Sequence, residues 1–481
     1  MSGADRYENP LVSRYASAEM STLFSARRKF GDWRRLWLWL AEAERELGLP
    51  IPETALSQLA ERLVPTDEEL ASADRHERRT KHDVMAHLHA LGEVAPAARG
   101  VLHLGATSAF VGDNADLLAL RDALALLVRR AVKVVAALAG FARAYRDLPC
   151  VGYTHFQAAQ PTTVGKRACL WIQDLVLDVH ELTRRLEELR FLGCKGATGT
   201  QASFLTLFDG DAAKADRLDR LVAEKAGFPR RFLVSGQTYT RKQDALVLSA
   251  VAGVGSSAAK FAHDLRLLQH MKEVEEPFSA RQVGSSAMPY KRNPMKAERM
   301  NALARWLQTA AENGALTHGA QWLERTLDDS ANRRLALAES FLAADALLVL
   351  WAAVAEGLVV NEAVVRRRLA DELPFLATEN VLMAAARKGG DRQALHERIR
   401  VLAQAAGDRL KSQGGANTLL ADIAEDPAFG LDFAEVETAA DPTRFVGRAP
   451  DQVDEFLEAE VDPLLAAHAS ALGEAGVEVV V

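Results

Sequence analysis

The chain has 481 residues, of which 49% are hydrophobic and 26% are charged, and these proportions exclude intrinsic disorder as a description of the whole chain. Its length is roughly three times that of a typical domain of about 150 residues, which predicts two or three domains. The net charge of −7 argues against a protein that coats nucleic acid, because such domains usually carry an excess of basic residues.

The N-terminal stretch MSGADRYENPLVSRYASAEM is polar and lacks the apolar core of a signal peptide. No uninterrupted apolar run of about 18 residues follows, so we expect no membrane segment. The three cysteines, Cys150, Cys169 and Cys194, are odd in number and form no CxxC pair, which disfavours a disulfide framework and a zinc ribbon. We therefore expect a cytoplasmic protein.

A small helical domain is predicted over residues 1–107. Its clearest helix is the tryptophan-rich stretch FGDWRRLWLWLAEAERELGLP, which should end at Gly48 and Pro50. KHDVMAHLH, residues 81–89, contains three histidines, but His82 and His87 would lie about 140° apart around a helix. His82 and His89 share a face without an obvious third ligand, so we expect no metal site.

Long helices are predicted within residues 108–360, where apolar residues recur every three or four positions without an intervening proline. These stripes cover residues 117–145, 172–189 and 247–268, and further helices should follow Pro294 and span residues 334–357. The first stripe corresponds to a helix of roughly 45 Å. Such helices pack at small crossing angles, so we expect an elongated five-helix bundle. We also expect it to oligomerise through its exposed stripes, with a monomeric bundle as the alternative.

THFQAAQPTTVGKR, residues 154–167, is a polar stretch that precedes one of these helices and contains His155. A histidine side chain can donate or accept a proton near neutral pH, which makes His155 a candidate acid or base. Taken alone, such a histidine is more often structural. HLGATS, residues 103–108, similarly ends in two hydroxyl side chains before the first long helix.

GSSAMPYKRNP, residues 284–294, separates a helix that should end near Met271 from one that contains Met300. Asn293 and Pro294 predict a helix N-cap followed by proline at the first helical position, with free backbone N–H groups that suit a carboxylate or an oxyanion. Residues 284–299 also hold four cationic side chains against one glutamate. We expect an anion-binding loop here, with an exposed capped loop as the alternative.

ERTLDDSANRR, residues 324–334, contains Arg325 and Arg334, and arginine commonly binds phosphate or carboxylate through its planar fork. Solvated salt-bridge networks explain such runs more often. Beyond residue 360 the apolar stripes shorten and the stretches ELPFLATEN and KSQGGANTLL interrupt them, so residues 361–481 should form a third helical domain.

Residues 284–294 match the fumarase/aspartase superfamily signature G-S-S-x-M-P-x-K-x-N-P at all eight specified positions, a highly specific motif. Within that superfamily the chain resembles the adenylosuccinate lyase family, in the form found in animals. The motifs that carry this likeness are SRYAS, KHDVMAH, HLGATS, THFQ, TTVGKR, GTQASF, SGQTYTRK, MPYKRNP and ERTLDDSANRR, and they extend it from Arg14 over nearly the whole chain.

The resemblance implies an all-α homotetramer of three-domain subunits whose core is the central long-helix bundle, with each active site built from three subunits. It implies release of fumarate from adenylosuccinate, giving AMP, and from SAICAR, giving AICAR. It implies no cofactor and no metal. The expected partners are these small molecules and further copies of the chain, with neither nucleic acid nor membrane.

The resemblance also implies roles for individual residues. Ser285 would be the general base and His155 the general acid, with Glu298 orienting His155. A serine hydroxyl is a poor base at its ordinary pKa, so Ser285 would need a strongly positive surrounding such as Lys291 provides. The succinyl carboxylates would be bound by Lys291, Asn293, Thr107, Ser108, Thr154 and Gln237, and the phosphate by Arg14, Tyr15, Arg325, Ser330 and Arg334. Lys81, His82, Asp83, His103 and Arg299 would line the same site.

Two alternatives remain. Another lyase of the superfamily, acting on argininosuccinate, malate or aspartate, would share the signature loop, although the phosphate-binding set disfavours it. A structural protein that keeps the fold without activity, as lens crystallins do, is the other. The presence of Ser285, His155 and Lys291 argues against that second alternative.

Overall fold

A computed structural model describes residues 5–279 and 281–473 of the chain. This part of the chain is all-α, as predicted, with only four short strands. The helices are α1 (Ala18–Leu23), α2 (Ala26–Glu46), α3 (Glu53–Ala60), α4 (Asp67–Thr80), α5 (Asp83–Val94), α6 (Ser108–Ala144), α7 (Val164–Glu188), α8 (Ala202–Leu207), α9 (Ala212–Lys225), α10 (Lys242–His270), α11 (Met295–Gly319), α12 (Asp328–Glu356), α13 (Glu362–Leu376), α14 (Thr378–Arg387), α15 (Arg392–Gln413), α16 (Leu419–Glu425), α17 (Phe433–Ala439), α18 (Ala449–Phe456), α19 (Asp462–Ala467) and α20 (Ala469–Leu472). The strands are β1 (Pro149–Thr154), β2 (Gln157–Thr163), β3 (Val274–Glu275) and β4 (Val359–Val360).

The predicted bundle of long helices is confirmed. It consists of α6, α7, α10, α11 and α12, which are 25 to 37 residues long. The predicted stripes face its interior, where residues such as Leu117, Ile172 and Val254 are fully buried. Three of the helices meet at Phe261, whose ring lies 5.1 Å from that of Trp171 and 5.2 Å from that of Trp351. Aromatic packing of this kind adds to the burial of apolar surface that stabilises the bundle.

The N-terminal helices pack onto the bundle, and their buried residues belong to the same hydrophobic cluster as the bundle core. The tryptophan-rich helix is confirmed as α2, which packs against α6 and buries Trp33 and Trp37. A separate hydrophobic cluster lies within α14, α15, α16 and α17 and the turn that follows α16, with Phe429 and Val436 among its fully buried members.

Among the described residues, α10 and α12 are long and apolar enough to cross a membrane by length and composition alone. Their most apolar windows are 50% and 78% buried in this fold. Core helices of helical bundles have the same composition, so this feature is weak support for a membrane span.

Residues 149–163 form an antiparallel hairpin of β1 and β2, although the sequence predicted only a polar stretch from residue 154 to residue 167 before a helix. Thr154 pairs with Gln157, so His155 and Phe156 are the two residues of the turn. Their φ angles of 52° and 58° are the positive values that a two-residue hairpin turn of type I′ requires. The hairpin therefore projects His155 at its tip, where the side chain is exposed.

The predicted capping of α11 is wrong. The helix begins at Met295, the preceding residue is Pro294, and no side chain caps it from that position. The Asn293 amide donates instead to the carbonyl oxygen of Gly284, at 2.7 Å. The buried carboxylate of Glu276 accepts from the backbone N–H groups of Lys296 and Ala297, at 3.1 and 2.9 Å. These N–H groups are consequently occupied and do not offer the free anion site that the sequence predicted.

Candidate active site

A cavity of about 970 Å³ lies between the N-terminal helices and the bundle. It is bordered by α2, by the junction of α4 with α5, and by the first turns of α6 and α12. Eight of the predicted site residues line it: Lys81, His82, Asp83, Ser108, Gln237, Arg325, Ser330 and Arg334. The fold thus brings together residues from four separate segments of the chain.

His82 is held in a defined orientation at one wall of the cavity. It is the N-cap of α5, where its Nδ1 atom accepts from the backbone N–H of Met85 at 3.2 Å. The proton therefore resides on Nε2, which lies 3.3 Å from Oγ of Ser108 and can donate to it. This arrangement joins the start of α5 to the start of α6.

Asp83 fixes one of the arginines of the cavity. Its Oδ2 atom accepts from Arg334 at 3.2 Å, while its Oδ1 atom accepts from the backbone N–H of Val84 at 2.8 Å. The Arg334 side chain remains 60% exposed, so the rest of its guanidinium is accessible to a ligand. A planar guanidinium held in this way suits a phosphate or a carboxylate.

Gln237 and Arg325 are held next to each other by backbone contacts. The N–H of Gln237 donates to the carbonyl oxygen of Glu324 at 2.9 Å. A side chain at Gly236 would collide with that same carbonyl group, so this close approach requires glycine. The Gln237 side chain donates to the carbonyl oxygen of Ala197 at 3.2 Å.

A buried network of charges beneath the cavity was missed in the sequence. Arg241 donates to both carboxylate oxygens of Asp113 at 3.0 Å each and, through Nε, to Asp329 at 2.7 Å. Asp329 also pairs with Arg325, at 3.4 Å. Charged residues in helical segments usually indicate a solvated surface, and no pattern in the sequence distinguishes these residues from that case.

The same network continues through Tyr239 and Arg333. The Tyr239 hydroxyl donates to Asp244 at 2.6 Å and accepts from Arg333 at 2.6 Å. Arg333 also pairs with Asp116, at 2.9 Å. Burial raises the pKa of Tyr239 well above its ordinary value, so this hydroxyl keeps its proton and remains a donor. These contacts connect the start of α12, with Ser330, and the preceding Arg325 to the floor of the cavity.

His103 and Thr107 were also predicted for this site, but neither lines the cavity in the part of the chain described. Nδ1 of His103 accepts from the indole N–H of Trp37 at 2.9 Å. Burial, with a smaller effect of His82, lowers the pKa of His103 to about 4, so it is neutral at physiological pH. Thr107 is the N-cap of α6, without a hydrogen bond from its side chain to the helix.

The signature loop lies outside the cavity lining. The Ser285 hydroxyl accepts from the backbone N–H of Met288 at 3.1 Å, and Lys291 is exposed. A side chain at Gly284 would collide with the carbonyl oxygen of Lys291, so the loop folds back on itself at this glycine. Asn293 is held by its bond to Gly284.

The remaining predicted residues are also distributed outside the cavity lining. Thr154 and His155 are exposed at the hairpin tip. The Glu298 side chain is 54% exposed, and its described ion-pair contact is with Arg266, at 3.9 Å.

Arg14 and Tyr15 lie in a π-helical turn (Leu11–Tyr15), where Arg14 is exposed and Tyr15 is half-buried. The Arg299 guanidinium lies 5.8 Å from the centre of the Tyr15 ring.

Within residues 5–279 and 281–473, no three histidine, cysteine, aspartate or glutamate side chains form a group that could hold a metal ion. The histidines of residues 81–89 have other surroundings. His82 caps α5, and burial lowers the pKa of His87 to about 4. The ring of His87 stacks on that of Phe30, with the centres 3.7 Å apart.

Residues 54–308 match a family model described as lyase, and residues 374–456 match one described as adenylosuccinate lyase C-terminus. Adenylosuccinate lyase of Saccharomyces cerevisiae is 49% identical over 96% of this chain and 96% of its own length. That of Schizosaccharomyces pombe is 48% identical over 99% of both chains, and that of Schistosoma mansoni 45% over 96% of both.

The fold is similar to solved structures of two other enzymes. A fumarate lyase from Mesorhizobium sp. BNC1 is 25% identical, with a TM-score of 0.80, and the match covers 94% of this chain and 100% of that one. A 3-carboxy-cis,cis-muconate lactonizing enzyme from Pseudomonas putida is also 25% identical, with a TM-score of 0.83 over 95% and 100% of the two chains. From these matches and the fold, the chain belongs to the adenylosuccinate lyase family of the fumarase/aspartase superfamily.

Proposed function

We propose that the chain cleaves adenylosuccinate into AMP and fumarate. The observation that carries this proposal is the cavity, where the cationic side chains of Lys81, Arg325 and Arg334 converge from distant segments. A substrate with one phosphate and two carboxylates needs several separate cationic groups, even in a protein of net negative charge. Curated relatives with this name cover nearly the full length of the chain.

The reaction is a β-elimination that breaks a C–N bond. Ser285, as its alkoxide, removes the proton from the carbon next to a succinyl carboxylate and becomes a neutral hydroxyl, and the electron pair of that C–H bond is held by the carboxylate as a dianion. That pair then forms the C=C bond of fumarate as the C–N bond breaks, the electron pair of the C–N bond stays on nitrogen, and His155 supplies a proton to the leaving amine. Lys291 stabilises the dianion where its charge develops. Glu298 orients His155.

Substrate binding is divided between the two ends of the ligand. The phosphate is bound by Arg14, Tyr15, Arg325, Ser330 and Arg334, and the succinyl carboxylates by Lys291, Asn293, Thr107, Ser108, Thr154 and Gln237. Lys81, His82, Asp83, His103 and Arg299 complete the lining. SAICAR, which has the same two anionic ends, is the second substrate and gives AICAR. The reaction uses only side chains, without a cofactor or metal.

The active site is completed by other copies of the chain in a homotetramer. In support, His155 is exposed at a hairpin tip and Ser285 lies outside the cavity lining. Large apolar side chains near the start of α12 are also exposed, with Trp322 at 71% and Leu323 at 93%. Exposed apolar patches of this kind commonly mark interfaces between subunits. The division into domains of residues 1–107, 108–360 and 361–481 and the cytoplasmic location stay predictions.

Ultraviolet absorbance after addition of adenylosuccinate tests this function directly. We expect a change in absorbance as the purine loses its succinyl group, and fumarate in equal amount by chromatography. Argininosuccinate, malate and aspartate serve as controls and should remain unchanged. Turnover of one of these, with adenylosuccinate left intact, would replace the proposed substrate. The mass of the particle in solution, by light scattering, tests the tetramer.

A further inference from the structure

Lys29 lies on α2 and contributes a further cation to the cavity. Its ammonium group is 5.3 Å from the ring centre of Trp33 and 5.7 Å from that of Phe30. An ammonium group at this distance is attracted by the negative face of an aromatic ring. The two rings therefore support the side chain at the cavity wall.

Arg334 and Arg333, two other cations of the cavity, already have anionic partners. Arg334 pairs with Asp83 at 3.2 Å, and Arg333 pairs with Asp116 at 2.9 Å. For Lys29, by contrast, the described residues offer neither a hydrogen-bond nor an ion-pair partner to the ammonium group. Its pKa is lowered mainly by burial, with smaller contributions from the positive charges of Arg334 and Arg333 that are opposed by the negative charges of Asp116 and Asp83. A partly buried cation without an ion-pair partner is stabilised when an anion enters the cavity and pairs with it.

We propose that Lys29 is a further substrate-binding residue whose ammonium group contacts the phosphate of the nucleotide. This inference rests on the proposed function, because it assigns Lys29 to the same ligand. The phosphate is favoured over the succinyl group because Lys29 lines the same cavity as Arg325, Ser330 and Arg334, three members of the phosphate-binding set. Of the residues proposed for the succinyl carboxylates, Ser108 and Gln237 also line this cavity, whereas Lys291 and Asn293 of the signature loop do not. The apolar rings around Lys29 lower the local dielectric constant and strengthen its attraction to a dianion.

The test compares the binding of AMP and of adenosine, which differ only by the phosphate, by titration calorimetry. We expect Lys29→Met to raise the Kd for AMP about 10- to 100-fold, the effect of losing a hydrogen bond to a charged group. The Kd for adenosine should change less than about twofold, so the ratio of the two constants reports the phosphate contact. Lys29→Arg, which keeps the positive charge, should recover most of the affinity for AMP.

Lys214→Met is the matched control, because the Lys214 ammonium also lies over a phenylalanine ring, 6.0 Å from that of Phe208, but outside the cavity. It should bind both ligands as the wild type does. If Lys29→Met folds poorly, Lys29→Gln replaces it, and the same ratio of the Kd for AMP to the Kd for adenosine is measured. Misfolding would weaken the binding of both ligands equally and would leave this ratio unchanged. An unchanged ratio in an otherwise active enzyme would overturn the assignment. Failure of the wild type to cleave adenylosuccinate would instead refute the proposed function.

Discussion

Arg241 and Asp113 form a two-bond ion pair beneath the cavity, with both N–O distances at 3.0 Å. Arg241 immediately precedes α10, whereas Asp113 lies in the second turn of α6. Since Arg241 also binds Asp329 in the first turn of α12, one guanidinium connects three helices of the bundle. The geometry of the cavity wall therefore depends on a side chain that is 1% exposed.

Replacement of the Arg241 guanidinium should destabilise the folded protein. In Arg241→Met, Asp113 and Asp329 lose a cationic partner inside the protein, and we expect the free energy of unfolding to fall by about 3–5 kcal/mol. Urea unfolding followed by circular dichroism measures the loss. Arg184→Met is the control, because Arg184 forms an exposed pair with Glu181 and should change stability by less than about 1 kcal/mol. Equal, small effects of both substitutions would mean that water reaches the Arg241 network.

The bundle could be predicted because its helices repeat apolar residues at the helical period over many turns. The hairpin of β1 and β2 could not. Its stretch PCVGYTHFQAAQPTT lacks a regular alternation of apolar and polar residues, and its turn uses His155 and Phe156 at positive φ instead of asparagine or glycine. The cap of α11 was missed for a similar reason, because Glu276 is distant in sequence from Lys296 and Ala297.

The residues around the cavity also divide into those that the sequence could predict and those that it could not. Arg325 and Arg334 could be identified because they stand in a polar run that resembles a known motif. Asp113 and Lys29 could not, because single charged residues within helical segments usually face solvent. Arg241 stands in the motif SGQTYTRK, but nothing in that motif indicates that its side chain is buried. Only the packing of α2, α6, α10 and α12 against one another shows that these charges are near one cavity.

Ser285→Ala tests the proposed base. We expect kcat to fall about 10²- to 10⁴-fold, the usual contribution of a general base, while the affinity for AMP stays near that of the wild type. Ser286→Ala, at the next position of the same loop, should keep most of the activity. Near-normal turnover by Ser285→Ala would remove this serine from the mechanism, and a loss confined to Ser286→Ala would move the base to the neighbouring residue.

His155→Ala tests both the proposed acid and the shared site. We expect a loss of kcat as large as that for Ser285→Ala, partly restored by added imidazole, which can supply the proton in place of the side chain. If His155 and Ser285 of one site belong to different subunits, unfolding and refolding the two inactive variants together should produce mixed oligomers with measurable activity. Mixtures that remain inactive, although mixed oligomers form, would place both residues in the same chain's site.

Glu44 offers a test of stability against pH. It lies fully buried on α2, and both of its carboxylate oxygens are without a hydrogen-bond partner among the described residues. Burial raises the pKa of Glu44 to about 9, so the folded protein keeps this carboxyl protonated at neutral pH. In the unfolded chain the pKa returns to about 4.3. The contribution of Glu44 to stability is therefore most favourable below about pH 4 and falls as the pH rises towards 9.

Glu44→Gln removes the titrating carboxyl group. Its effect should appear as a change in the slope of the free energy of unfolding against pH. Between pH 6 and pH 8 only the unfolded wild type has released this proton, so its free energy of unfolding should fall by about 2–3 kcal/mol relative to the variant, at about 1.4 kcal/mol per pH unit. Urea unfolding at pH 6, 7 and 8 measures both slopes. Glu46→Gln, at an exposed position of the same helix, should keep the wild-type slope. Parallel profiles for the wild type and Glu44→Gln would mean that the Glu44 carboxyl ionises within the folded protein, which requires water or a cation next to it at the C-terminal end of α2.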